Sequence, residues 1–394
     1  MSKITIRPVE GQEMLDLLYH LDNYAFRPTP PFPNREEWEV RIKSRRGPYY
    51  YAVFEDGEGV AITSCPTLTQ NVRGKIFKMG GFADVSSHPK VRRKGYVRDL
   101  MRFGYEQLKN DGRAFSSLYP FRESFYERLG YVTFPQSRQA IFKASDLQPL
   151  FKADLGGEVE LSLIGEVYDV YHDYILKMQP QVHGMGIFED PQEESAQANR
   201  SWVLQAKVDD EVVGIMGYTI QGEEMMNYNL LASHFYYRTS QGKYLMLEWI
   251  ARHVDQAGNV RLRLPAYEQP NTWLADIRPN LEKVFVAPMG RVLDVAKIGG
   301  IEVGSGSFCI EIRDPDCAWN NGIWKFEQAS GKLIVSPAQS ADCHLTIQGL
   351  SALVYGVNDP EDFIFRGWGN PSPELIAIMR QMFPPKLPYL HEGY

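Results

Sequence analysis

The chain has 394 residues but only four cysteines, Cys65, Cys309, Cys317 and Cys343, and no two of them form a CxxC pair. No histidine stands beside them at metal-ligand spacing, so neither a metal site nor a disulfide framework is expected. Four reduced, mostly buried thiols in a cytoplasmic protein fit this usage. No apolar run approaches the ~20 residues of a membrane-spanning helix. Met1-Ser-Lys-Ile-Thr-Ile-Arg7 reads as the start of a strand rather than a signal peptide. Positive charge is also short: 42 Lys and Arg stand against 49 Asp and Glu, a net −7. That argues against a nucleic-acid partner, which needs a basic face. What is present is ordinary for a globular protein, 44% hydrophobic and 23% charged, and the length allows two to four domains.

Ile4–Arg7 alternates at period two, and Met14, Leu17, Leu18 and Leu21 recur at helical spacing, so a strand leads into a helix. The proline-rich stretch Arg27–Asn34 is a stiff loop suited to wall a pocket. Tyr49–Phe54 and Val60–Cys65 bracket a Gly-rich turn and predict a hairpin. Lys75–Ser87 reads as a long strand containing Gly80 and Gly81, which suggest a bulge or a close backbone approach. From Gly95 the period changes. Val97, Leu100, Met101, Tyr105 and Leu108 predict a helix ended by Asp111-Gly112. A strand at Ala114–Tyr119, a short helix at Ser124–Leu129 closed by Gly130, and a strand at Tyr131–Phe134 follow.

A similar order returns: a hairpin of Trp202–Val208 and Val212–Tyr218, a strand at Met225–Ala232, a helix opening near Tyr237, and a strand at Val260–Leu264. Gly242 is the counterpart of Gly95, which predicts an internal duplication. The second copy lacks the cationic run beside the glycine and is expected to have lost its phosphate site. Beyond Leu281, strands at Val292–Ala296, Gly306–Arg313, Gly322–Phe326 and Lys332–Ser336, then helices at Ile347–Tyr355 and Glu374–Met382, predict a small α+β domain. The chain divides into residues 1–150, 151–285 and 286–394.

The segment that carries chemistry is Phe82-Ala-Asp-Val-Ser-Ser-His-Pro-Lys-Val-Arg-Arg-Lys-Gly-Tyr96. A strand delivers the chain to a loop that opens a helix, whose unpaired N–H groups and partial positive charge suit a phosphate. Gly95 lets the backbone approach a pyrophosphate, and Arg92, Arg93 and Lys94 add formal charge. The spacing is neither GxGxxG nor a Walker loop.

This segment resembles the acetyl-CoA-binding motif V-x-x-x-P-x-x-R-x-x-G of the GCN5-related N-acetyltransferases (GNAT), with Val97 where the family usually has Gly or Ala. Ser124-Phe-Tyr-Glu-Arg-Leu-Gly-Tyr131 resembles the family's F-Y-x-x-x-G-[FY] segment, whose first tyrosine protonates the leaving thiolate. The whole chain resembles the Eis-type acetyltransferases. The resemblance implies an α+β (α/β) fold of two tandem GNAT-like domains, the second degenerate, and a C-terminal sterol-carrier-protein-like domain. It also implies direct acetyl transfer from acetyl-CoA to an amine, with no metal. Val85, Ser87, Arg92, Arg93, Lys94, Gly95 and Tyr96 would then hold the cofactor, Tyr126 would be the acid, and the terminal carboxylate of Tyr394 the base. A homo-oligomer, a hexamer by resemblance, is implied as well.

Acidic and aromatic residues suit a cationic amine, which the acidic balance of the chain also favours. Asp22, Tyr24 and Phe26 precede the proline loop, Glu36, Glu37 and Trp38 follow it, Phe82 lies before the motif, and Glu392 near the terminus. His88 in the loop and His391 near the base add little. The apolar, proline-rich Phe383–Tyr394 segment is expected to pack rather than fray. The alternative is a ligand- or lipid-binding protein with a vestigial transferase.

Overall fold

The computed structural model describes residues 2–45, 49–190, 199–224, 227–284 and 286–394. The chain divides into two units, one of Met1–Pro135, Gln179–Pro191 and Ala287–Tyr394, the other of Gln136–Met178 and Gln192–Val286.

The first unit contains β1 (Ile4–Pro8), β2 (Tyr49–Glu55), β3 (Glu58–Cys65), β4 (Thr67–Val72), β5 (Lys75–Ser87), β6 (Phe115–Leu118) and β7 (Val132–Thr133). With β10 (Gly186–Phe188) and β16 (Met289–Val292) they form one sheet in the order β1-β2-β3-β5-β6-β16-β7, with β4 and β10 attached through β5. Pro66 interrupts the edge against β5, so β4 pairs with its first half and β3 with its second. Helix α1 (Gly11–Phe26) and α2 (Arg35–Lys43) bury Leu15, Leu18, Trp38 and Ile42 against Tyr50, Ala52 and Ile62. Helix α3 (Tyr96–Asn110) buries Leu100, Met101 and Tyr105 against Val53, Ala61 and Phe82, and α4 (Glu123–Glu127) adds Tyr126 to that cluster.

The C-terminal part of this unit is a sheet of β17 (Ser307–Arg313), β18 (Gly322–Ala329), β19 (Lys332–Pro337) and β20 (Cys343–Thr346), in the order β19-β18-β17-β20. It carries helices α7 (Ile347–Tyr355), α8 (Phe363–Arg366) and α9 (Pro373–Met382). Its core is continuous with that of the first sheet, the Tyr355 ring meeting Phe134 at a tilt at 4.6 Å and Phe115 edge-on at 5.7 Å. Two arginines fasten the join. Buried Arg291 on β16 donates to Leu129 O at 2.5 Å and pairs with Asp314 at 2.6 Å. Arg73 donates to the carbonyls of Val354, Leu353 and Pro384.

The second unit is a sheet of β8 (Arg138–Phe142), β9 (Glu158–Leu163), β11 (Trp202–Val208), β12 (Glu211–Gln221), β13 (Tyr228–Tyr237), β14 (Ala257–Leu264) and β15 (Asn280–Lys283), with helices α5 (Tyr168–Met178) and α6 (Ser240–Ala251). β12 pairs antiparallel with β13, and β13 parallel with β14, with α6 between. This repeats β3 antiparallel to β5 and β5 parallel to β6 with α3 between.

Several elements depart from the sequence pattern. The expected strand at Val292–Ala296 is β16, Met289–Val292, and it lies in the first sheet beyond the expected boundary at 286. β8 falls before the boundary at 150 yet pairs with β14 and β15. α2 follows the proline loop where no helix was anticipated, because only Trp38 and Ile42 of its nine residues are buried. Met225, Met226 and Phe285 lie outside the described residues.

Candidate active site

Beside β5, parallel pairing with β6 runs from Met79–Phe115 to Phe82–Leu118 and stops. On its other edge β5 is bulged between its pairings with Ser64 and Ile62. Asp84 supplies the bulge with φ of 51°, a region uncommon for any residue with a side chain but more open to Asp than to most. Ser64 Oγ donates to its carboxylate at 2.6 Å and Arg45 Nη1 at 2.9 Å, which holds the strained backbone in place. Residues Ala83–Ser87 are thereby left without a β6 partner on the side facing the cleft.

The cleft has a volume of about 630 Å³, and Val85, Ser87, Arg92, Arg93, Gly95 and Tyr96 all line it. The loop is rigid. His88 Nδ1 accepts from Lys90 N at 3.2 Å, and Val91 is buried beneath it. Gly95 begins α3 with φ of 93°, and a Cβ there would meet nothing within 4 Å. Its backbone conformation, not crowding by the chain, therefore requires glycine. No side chain caps this helix end, so its amides remain available to an anion. Arg92 and Arg93 make no ion pair among the described residues. Lys94 is placed differently: its Nζ lies 2.9 Å from Glu55 Oε1, and Tyr96 OH donates to the same carboxylate at 2.8 Å. These contacts hold the Glu55 carboxyl below its ordinary value, Lys94 contributing most.

Tyr126 sits one ring behind the cleft. Phe121 and Phe125 line the cleft and contact it edge-on at 5.7 and 5.0 Å. Its phenol has no hydrogen-bond partner among the described residues and is not among the fully buried polar atoms. Burial raises its pKa, so the group stays protonated at neutral pH and suits donation rather than acceptance of a proton.

The last residues pack against the fork between β5 and β6. Tyr394 lies over Gly81 on β5, and its phenol shares a hydrogen bond with Ser117 Oγ on β6. Tyr119 meets its ring edge-on at 5.9 Å and donates to Glu392 O at 3.0 Å. The Glu392 carboxyl is pushed up to about 7 by burial, which the Phe188 amide partly offsets. His391 Nε2 is 3.8 Å from it.

The other expected substrate residues divide. Phe26 lines the cleft beside Ala25. Asp22 is partly buried, and its carboxyl is pushed up to about 6 by burial first and by the Asp84 charge second. Trp38 is not on the cleft, being buried between α1 and α2 with Tyr19 at 5.2 Å. Phe82 is likewise core, since its ring covers Gly104 and meets Tyr105 at 5.3 Å. Glu36, Glu37 and Tyr24 are exposed. Sequence reasoning missed Asp84, Ser64 and Arg45, which build the bulge, and Ser117 and Tyr119, which receive the tail. A lone charge inside the apolar Met79–Val85 stretch was the available sign of a bulge.

The second unit differs at the equivalent point. Thr239 Oγ1 accepts from Gly242 N at 3.1 Å, and a Cβ on Gly242 would approach Val213 O to 2.6 Å. That helix start is capped and packed, where the one at Gly95 is open.

Residues 5–134 match the family model of the acetyltransferase (GNAT) domain, and residues 296–391 that of the sterol carrier protein domain. No curated protein sequence matches the chain. Among solved structures, a GCN5-related N-acetyltransferase from Anabaena variabilis is 16% identical, with both chains covered in full and a TM-score of 0.85. A probable N-acyltransferase from Enterococcus faecalis is 19% identical, again with full coverage of both, at 0.83. Eis1 from Mycobacterium abscessus is 15% identical over the full length of both, at 0.78. No helix among the described residues is long and apolar enough to cross a membrane. The chain is an acyltransferase that carries a GNAT acetyltransferase domain followed by a sterol carrier protein domain.

Proposed function

We propose that the protein is an Eis-type enzyme that transfers acetyl from acetyl-CoA to a primary amine of a cationic small molecule, an aminoglycoside, polyamine or lysine-like compound. The observation that carries this reading is the cleft itself, where an open helix start, two unpaired arginines and the unpartnered edge of a bulged strand meet.

Backbone groups of Val85 and Ser87 would hold the pantetheine arm, and the Val85 amide would polarise the thioester carbonyl. Arg92, Arg93 and the amides at Gly95 and Tyr96 would hold the pyrophosphate. The amine attacks the thioester carbon; a C–N bond forms and the C–S bond breaks. Tyr126 gives its proton to the departing thiolate. The carboxylate at Tyr394 accepts the amine proton, a role supported by the position of its ring at the fork. Asp22 and Glu392 attract the cationic acceptor, and Phe26 walls it. Assembly as a hexamer rests on the family resemblance, and a cytoplasmic location on the cysteine usage.

Release of free thiol from acetyl-CoA with a panel of polyamines, aminoglycosides and lysine peptides tests this. Silence across the panel sinks the reading in favour of a ligand-binding protein with a vestigial transferase. In an active enzyme, Tyr126→Phe is expected to lower kcat by about 10²-fold or more while leaving CoA affinity in place.

A further inference from the structure

Away from the cleft, a second cavity of about 610 Å³ lies between α4 and the helices α7 and α8, within the first unit. Three guanidinium groups line it, those of Arg122, Arg128 and Arg366, against the single carboxylate of Glu127. Arg366 Nη2 pairs with Glu127 Oε2 at 2.9 Å, and its guanidinium lies 4.3 Å from the centre of the Trp368 ring, which steadies it. Arg128 donates from Nε to Ser124 O at 3.2 Å and lies 5.7 Å from the Phe125 ring, leaving its terminal nitrogens available. The Arg122 guanidinium has no hydrogen-bond or ion-pair partner among the described residues.

Three positive charges facing one carboxylate leave a surplus of two in a concave site. Guanidinium forks match the oxygens of a phosphate group, and a dianion neutralises the surplus where a single carboxylate would meet only half of it. A smaller cavity of about 260 Å³, lined by Arg98, Phe125, Arg128 and Leu129, shares Arg128 with this site. It shares Arg98 and Phe125 with the proposed cofactor cleft.

We propose that the cavity of Arg122, Arg128 and Arg366 binds a phosphate monoester. The ester has two possible sources, the 3′-phosphate of CoA reaching past Arg98, which rests on the acetyl-CoA reading above, or a separate small phosphate ester. In either case the ligand competes with Glu127 for Arg366. Gln348 Nε2 also holds Glu127 O, at 2.7 Å, so occupancy bears on the short helix that carries Tyr126.

The test uses the full chain, wild type and an R122A/R128A double variant, with thermal unfolding as the check on folding. Calorimetric titration with CoA and dephospho-CoA forms one arm. A wild-type preference for CoA of about tenfold or more, lost in the variant, identifies the CoA phosphate as occupant. The other arm titrates the CoA-saturated protein with glycerol 3-phosphate at constant ionic strength, with chloride as control. Saturable binding, weakened about tenfold in the variant, identifies a separate ester. Equal affinity of the wild type for CoA and dephospho-CoA, with no ester binding beyond the chloride control, overturns the proposal, and this comparison stands even if the variant does not fold. Acetyl transfer is recorded separately. Transfer with both arms silent removes only the cavity site, and ester binding without transfer removes only the acetyl-CoA reading.

Discussion

Tyr394 rests on Gly81 so closely that a Cβ at position 81 would stand 2.6 Å from its Cε2 and 2.8 Å from Pro66 Cγ. The glycine keeps its place on β5 for want of room, and the residue that fills the room comes from the far end of the chain. Gly81→Ala is therefore expected to displace the Tyr394 ring from Ser117. A shift of about an ångström in a group aligned with the reacting atoms costs on the order of 10²-fold in rate. The measurement is kcat/KM for acetyl transfer alongside the melting temperature. An unchanged rate in a folded variant would detach Tyr394 from the chemistry.

The neighbouring cations of the motif are expected to behave differently. Arg92 lines the cleft, whereas Lys94 is paired with Glu55. Arg92→Ala should weaken CoA binding by roughly tenfold, the order of a charge-assisted hydrogen bond. Lys94→Ala should weaken it by clearly less. Equal losses in a direct CoA titration would contradict this division.

Glu392 gives a pH dependence of defined sign. Its carboxyl is pushed up to about 7 in the fold, from an ordinary 4.5. Between those values the folded protein holds more protons than the unfolded chain, so stability falls as pH rises through this window. Glu392→Gln is expected to be more stable than wild type above pH ~7, with the difference closing toward pH ~4.5. Urea midpoints measured across that range decide it; a constant offset would mean that Glu392 does not titrate there.

The pair of Arg291 and Asp314 joins β16 to the end of β17 with both side chains fully buried. Removing one partner strands the other charge out of water. Asp314→Ala is expected to cost about 3–5 kcal/mol, read from denaturant unfolding. A loss below about 1 kcal/mol would mean that water reaches the guanidinium.

How far the pattern of residues revealed this molecule depended on how local each feature was. The span of β5 follows from an apolar stretch ended by the motif loop. That of α7 follows from the cap on Thr346 and from Gly356, whose φ of 68° stops the helix. The cleft was legible because its parts are neighbours between Val85 and Tyr96. Phe82 and Trp38 misled, since a large aromatic next to a site looks the same in sequence whether it faces solvent or core. Lys94 misled because its partner Glu55 lies 39 residues away. The contact of Tyr394 with Ser117 spans 277 residues, and no local period encodes it.

The position of β16 has a consequence for how the molecule comes into being. Met289–Val292 lies between β6 and β7, so residues 115–118 and 132–133 wait for a strand synthesised more than 150 residues later. Until it arrives, the edge of β6 is unpaired, and such an edge invites pairing with other chains. The acetyltransferase sheet is thus completed late, from contacts of high sequence separation, which slow folding. Domain names suggest beads emerging in order from the ribosome; this topology makes the first bead depend on the last third of the chain.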